Sequence, residues 1–195
     1  MLKHFMFMWM LTAVGLFIGT MLPPSIILPI SIITIILLIV VIFVRNVRLA
    51  NSIMYAIPLL VGITLFWTTQ FYMNELGSTL VFSVFVGTIV IFILLGFVGM
   101  HIKDISGIGG YLFGALIVII VFSVLFIFIP VGNTASLLLA GATILVFTLY
   151  TVYDFNQIRH NHVGEDQVVG VALSLYLDFI NLFRNILEII WRLKD

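Results

Sequence analysis

The sequence contains no cysteine, which excludes disulfides, thiolate metal sites and thiol catalysis. It is also poor in charge, with 8 Lys and Arg against 8 Asp and Glu among 195 residues. A balanced charge without a basic or acidic tail offers no electrostatic surface for nucleic acid, which is therefore not an expected partner. Long polar stretches are missing as well, so little chain remains for a soluble domain. What fills the sequence is apolar: 63% of its residues are hydrophobic and the mean hydropathy is +1.33. Those values lie far outside the range of soluble globular domains and specify an integral membrane protein.

A helix needs about 20 apolar residues to cross a hydrocarbon core. Seven stretches fit, at residues 5–22, 25–44, 53–73, 79–100, 109–129, 135–156 and 168–191. Strands of a membrane barrel would be shorter and polar on alternate positions, whereas the runs 32–44 and 116–129 are apolar on nearly every face. The expectation is an all-α, seven-transmembrane-helix bundle forming a single domain over residues 1–195. Lys3 ahead of an apolar run looks like a signal peptide, but no small-residue cleavage site follows, so it reads as a retained first helix. Lys3, Arg45, Arg48, Lys103 and Arg159 all fall on one side of the alternating spans, which places the N-terminus in the cytoplasm and, after seven crossings, the C-terminus outside. Only Arg192 and Lys194 oppose that pattern.

Proline and glycine punctuate the spans. Pro23-Pro24 and Pro130 end helices, and Pro58 should kink the third by freeing a carbonyl one turn earlier. Gly15 and Gly19, Gly96 and Gly99, and the run Ala140-Gly141-Ala142 are expected to let helices approach closely. Met6, Met8 and Met10 read as core or lipid-facing residues, since nothing nearby completes a soft-metal site.

The chemistry concentrates in the last two spans. Asp154 and Asp178 stand in apolar helices, where an ionisable group costs several kcal/mol unless neutralised, paired or hydrated. On the last helix Ser174, Asp178, Asn181 and Asn185 are spaced by 4, 3 and 4 residues and share one stripe. Thr143, Tyr150, Asp154 and Gln157 do the same on the sixth, and two polar stripes on consecutive helices should face each other. The midpoint of positions 154 and 178 falls in the polar connection 159–167, so an antiparallel hairpin brings the two acids to one level. That level lies on the order of 10 to 12 Å inside the helices at ~1.5 Å per residue. Two carboxylates held close in a low dielectric cannot both ionise cheaply, so they share a proton and titrate as a unit. Oxygen ligands from carboxylate, amide and hydroxyl groups suit a hard cation such as calcium, in transient contact with Asp154 and Asp178, better than zinc or copper.

The stretches Thr148-Leu-Tyr-Thr-Val-Tyr-Asp154-Phe-Asn-Gln-Ile158 and Ala172-Leu-Ser-Leu-Tyr-Leu-Asp178-Phe-Ile-Asn-Leu-Phe183 resemble the signature of the transmembrane Bax inhibitor motif family, especially its bacterial YetJ-type members. Val14-Gly-Leu-Phe-Ile-Gly19 and Gly62-Ile-Thr-Leu-Phe66 add to the likeness, which covers essentially the whole chain. The resemblance implies a seven-helix bundle with the last helix central between two sets of three. It also implies a pH-dependent calcium leak with Asp154 and Asp178 as sensor and gate, closed when they share a proton. A basic residue at the end of the second helix partners the acids in the bacterial relatives, and Arg45 is the nearest match. No cofactor, no enzymatic step and a bacterial plasma membrane are expected, with calcium, protons and the bilayer as partners and a monomer as a plausible state.

Other readings use the same acids. A cation/proton exchanger needs titratable oxygens on its route just as a leak does. An intramembrane aspartyl protease also pairs two aspartates, one in a Tyr-Asp context like Tyr153-Asp154, but the Gly-x-Gly-Asp context of the second acid and a Pro-Ala-Leu element are absent here. The acids could also serve only to clasp two helices. His160-Asn161-His162 with Glu165-Asp166 reads as a solvated loop rather than a metal site, and Arg184 and Glu188, four apart, are expected to pair.

Overall fold

The computed structural model describes residues 1–44, 46–129, 131–161 and 164–194, with their side chains except those of Ile42 and Ile127. Arg45, Pro130 and His162, each singled out in the sequence, lie outside the described residues. The chain forms seven long helices and, among the described residues, no strand: α1 (Leu2–Gly19), α2 (Ile27–Phe43), α3 (Val47–Leu76), α4 (Ser78–His101), α5 (Gly109–Phe128), α6 (Asn133–His160) and α7 (Val168–Lys194). All seven are long and apolar enough to span a membrane.

Local chemistry sets the boundaries. α1 ends at Gly19, ahead of Pro23-Pro24, because a proline disfavours helical backbone in the residue before it. The Leu22 carbonyl, left without a helical donor, accepts a hydrogen bond from Trp67 Nε1 at 3.1 Å. α3 starts well before the expected residue 53. Asn46 Oδ1 accepts the N–H groups of Arg48 and Leu49 at 3.0 and 3.2 Å, and this cap satisfies two of the orphan donors that open a helix. Arg159 and His160 in the last turn carry α6 past its expected end, where basic groups complement the helix dipole.

The helices group into two compact units, residues 1–75 with 163–176 and residues 76–162 with 177–195. Each takes three helices and part of α7. In lipid no hydrophobic force separates helix from solvent, so close packing and hydrogen bonds must hold them together.

In the first unit α1 crosses α3 at Gly15 and Gly62. A Cβ on Gly62 would lie 2.3 Å from the Thr12 carbonyl oxygen, and one on Gly15 would lie 2.2 Å from that of Leu59. Buried Thr12 donates to the Met8 carbonyl at 2.9 Å and sits 2.8 Å from the hydroxyl of fully buried Tyr176, whose ring meets Trp9 edge-on. His4 is more than a terminal residue: its Nδ1 lies 2.5 Å from the Tyr55 hydroxyl and the two rings stack.

In the second unit α4 packs on α6 through Gly96 and Gly99, where a Cβ would strike the Phe155 ring at 2.9 Å and the Val152 carbonyl oxygen at 2.4 Å. Phe92 meets Phe155 of α6 and Phe179 of α7, and Phe85 meets Phe179 and Phe183, all edge-on. The expected close-packed patch at Ala140-Gly141-Ala142 is not formed as such. Ala140 is buried, but Ala142 is exposed and nothing lies within 4 Å of a Cβ on Gly141. Small residues permit a close approach without producing one.

Gly62→Ala should therefore destabilise the protein by about 1–3 kcal/mol, because backbone atoms, not a flexible side chain, occupy the space. Gly141→Ala should leave the thermal midpoint in detergent unchanged or raised. Equal midpoints for Gly62→Ala and the parent would refute the tight crossing.

Candidate functional site

Two faces of α6 do different work within the second unit. On one, Val152, Phe155, Asn156 and Arg159 meet the end of α4. Asn156 is fully buried, and its side chain is satisfied on both sides. Its Nδ2 donates to the carbonyls of Gly99 at 3.0 Å, Lys103 at 3.1 Å and Ile102 at 3.4 Å, and its Oδ1 accepts the Ile105 N–H at 3.0 Å. Arg159 adds a bond to the Met100 carbonyl. These contacts dispose of carbonyls that α4 leaves unpaired at its end, and fix the α4–α5 connection against α6.

On the other face stand Thr143, Phe147, Tyr150, Thr151, Asp154 and Gln157. Asp178 of α7 is 2% exposed, and its electrostatic neighbours are Asp154 and the hydroxyl of Thr151. Both acids also act on half-buried Tyr150. The hairpin therefore brings the two acids within electrostatic reach of each other. The Oδ2 of Asp178 and the Nε2 of Gln157 are buried with no hydrogen-bond partner among the described residues. A buried polar atom without a partner costs about 1–3 kcal/mol, and more if charged, so Asp178 has a strong tendency to take up a proton, a cation or water.

The remaining stripe residues behave less uniformly than their spacing implied. Thr143 donates to the Leu139 carbonyl at 2.7 Å, Asn181 to Leu177 and Asn185 to Asn181, both at 2.8 Å, so each closes onto its own helix. Gln157 Oε1 accepts a bond from Asn161. Ser174 is half-buried on α7. Arg45, the expected counter-ion, lies outside the described residues. Thr151 and Asn156 are the two fully buried polar residues of α6 that spacing arithmetic overlooked.

At the far end of the hairpin Glu188 pairs with Arg192, one turn after it on α7, at 2.5 Å. Arg192 Nη1 donates to Asn133 Oδ1 at 2.9 Å, Asn133 Nδ2 returns a bond to the Arg192 carbonyl at 3.3 Å, and the guanidinium lies 5.2 Å from the Trp191 ring centroid. Among the described residues no group of three or more His, Cys, Asp and Glu is placed to hold a metal.

Residues 1–194 match the family model described as inhibitor of apoptosis-promoting Bax1. The Arabidopsis thaliana protein LIFEGUARD 1 is 41% identical over 87 residues, covering 45% of this chain and 37% of that protein. An uncharacterized membrane protein of Streptococcus pyogenes is 33% identical over 133 residues, 65% of this chain and 58% of its own length. An uncharacterized protein of Helicobacter pylori is 32% identical over 143 residues, 73% of this chain and 61% of its own. The chain thus spans about half the length of the curated relatives it matches.

Asn156→Ala strips both halves of the α4–α6 clasp and should cost about 2–4 kcal/mol, since it leaves a buried N–H and several carbonyls unpaired. Hydrogen exchange at the Ile105 amide should accelerate together with the fall in thermal midpoint. Unchanged protection there would show that the clasp does not hold the connection.

Proposed function

The chain belongs to the Bax inhibitor motif family, and from that premise we propose that it is a pH-sensitive calcium leak channel gated by Asp154 and Asp178. The observation that supports this reading is the burial of Asp178 beside Asp154, with one carboxyl oxygen of Asp178 lacking a hydrogen-bond partner among the described residues. A shared proton removes one of the two charges and lets α6 and α7 stay together. Loss of the proton leaves two like charges in a low dielectric, which separation of the helices, water or a hard cation relieves.

The closed state holds a proton that the open state has released, so closing is favoured at low pH and conductance rises with pH. Calcium is cargo here, moving down its gradient towards the cytoplasm of a bacterial cell. The reading assigns the chain no cofactor and no covalent chemistry. Asp104, in the α4–α5 connection, takes no part in the switch: the Ser106 N–H at 2.8 Å holds its carboxyl below the usual carboxylate range, so it stays ionised throughout the working pH window.

Calcium influx into proteoliposomes, followed from about pH 5 to about pH 8, should rise with pH in the parent. It should become nearly independent of pH in Asp154→Asn and Asp178→Asn, which also separates the acids from the chain's 4 histidines. A pH profile untouched by both substitutions would remove the gate, and absence of calcium flux at every pH would remove the channel. Uptake driven uphill by an imposed pH gradient would identify an exchanger.

A further inference from the structure

The polar stripe of α7 does not stop at Asn185. Continuing the helical spacing, Asp178, Asn181, Asn185, Glu188 and Arg192 follow one another at 3, 4, 3 and 4 residues and share a face. On α6, Asn133 is the first residue of the helix, off the stripe of Thr143, Tyr150 and Asp154. Polar groups of the two helices meet twice, at the acids and at the contacts between Asn133 and Arg192. Glu188 lies about 15 Å along α7 from Asp178 at ~1.5 Å per residue. Between the two meeting points the α6 side carries buried Phe147, Thr143 and Ala140, with the Thr143 hydroxyl closed onto its own helix.

The oxygens at this far end converge on a positive charge. Glu188 Oε1 and Asn133 Oδ1 both accept from the same guanidinium, at 2.5 Å from Nε and 2.9 Å from Nη1, so both lie within one Arg192 side chain's reach. Asn185 stands one turn before Glu188 on the same face, and because its Nδ2 is committed to the Asn181 carbonyl, its Oδ1 remains as a further acceptor. A carboxylate and two amide oxygens are hard ligands of the kind that bind calcium or magnesium, with water completing the shell.

We propose that Glu188, Asn133 and Asn185 form a second divalent-cation site at the far end of the α6–α7 hairpin, held in its resting state by Arg192 as a tethered counter-ion. An arriving cation competes with the guanidinium for Glu188 and Asn133 and displaces it, which releases the bond from the Arg192 side chain to Asn133 of α6. Such a site is weak by construction, since every cation must first win against an internal charge. As part of a permeation route it rests on the channel reading above. As a binding site it does not.

Terbium(III) replaces calcium at oxygen ligands, and Trp191, beside Arg192, is placed to sensitise its emission. The titration is made on the full chain in detergent, in an Asp154→Asn/Asp178→Asn background, so that the acid pair contributes nothing. Sensitised emission that calcium displaces is expected, and it should vanish in Trp191→Phe and in Glu188→Gln. Arg192→Gln should bind terbium about fivefold more tightly, because it removes a competing charge worth about 1 kcal/mol at this exposure. A gain in affinity cannot come from misfolding. Absence of emission in the background protein, emission that survives Glu188→Gln, or weaker binding in Arg192→Gln would overturn the site. Calcium flux through the parent reports on the channel separately, so either idea can fail while the other stands.

Discussion

A carboxylic acid buried in an apolar helix, with one oxygen that has no partner among the described residues, is the constraint on which this structure turns. Asp178 is 2% exposed and has Asp154 as an electrostatic neighbour. Neither desolvation nor a second acid stabilises an ionised carboxylate. Its surroundings therefore favour a proton, a cation or water at this point, and α6 and α7 must accommodate whichever is present. Phe179, next to Asp178, packs edge-on against Phe85 and Phe92, so the acid stands on a firmly held turn rather than a loose one.

The rest of the second unit supports that placement. Gly96 and Gly99 bring α4 against α6, and Asn156, two residues after Asp154, ties α6 to the α4–α5 connection through side-chain bonds to backbone at Gly99, Lys103 and Ile105. The depth and rotation of Asp154 are thereby set by a clasp on the opposite face of its own helix. The far end of the hairpin is held by Arg192, Glu188 and Asn133. The hairpin is consequently fastened at its far end by charge-assisted bonds.

Much of this was legible in the sequence because intramembrane charge is rare and costly. The seven spans follow from hydropathy, and helical spacing is what singles out Asp154, Asp178 and the polar residues around them. What escaped depended on backbone or on the distant chain. Asn156 is invisible to spacing because its partners are main-chain groups some fifty residues away, which carry no side-chain signature. Ala140-Gly141-Ala142 misled because small residues look alike whether a helix covers them or not, whereas Gly62 had no GxxxG partner to mark it. Asn46 lengthened α3 through a cap that a hydropathy window does not register. The stripe residues Asn181 and Asn185 lie where expected, yet their amides return to their own helix, a preference that short amides show wherever no partner stands opposite.

The most direct test of the central claim is the infrared carbonyl band of a protonated carboxylic acid, recorded on the reconstituted protein from about pH 5 to about pH 8. A band present at the low end, lost as pH rises over the range in which calcium flux rises, and missing in Asp178→Asn, is the expected result. Carboxyls ionised at every pH, or a protonated band that persists unchanged in the Asp154→Asn/Asp178→Asn protein, would contradict a proton shared between these two acids.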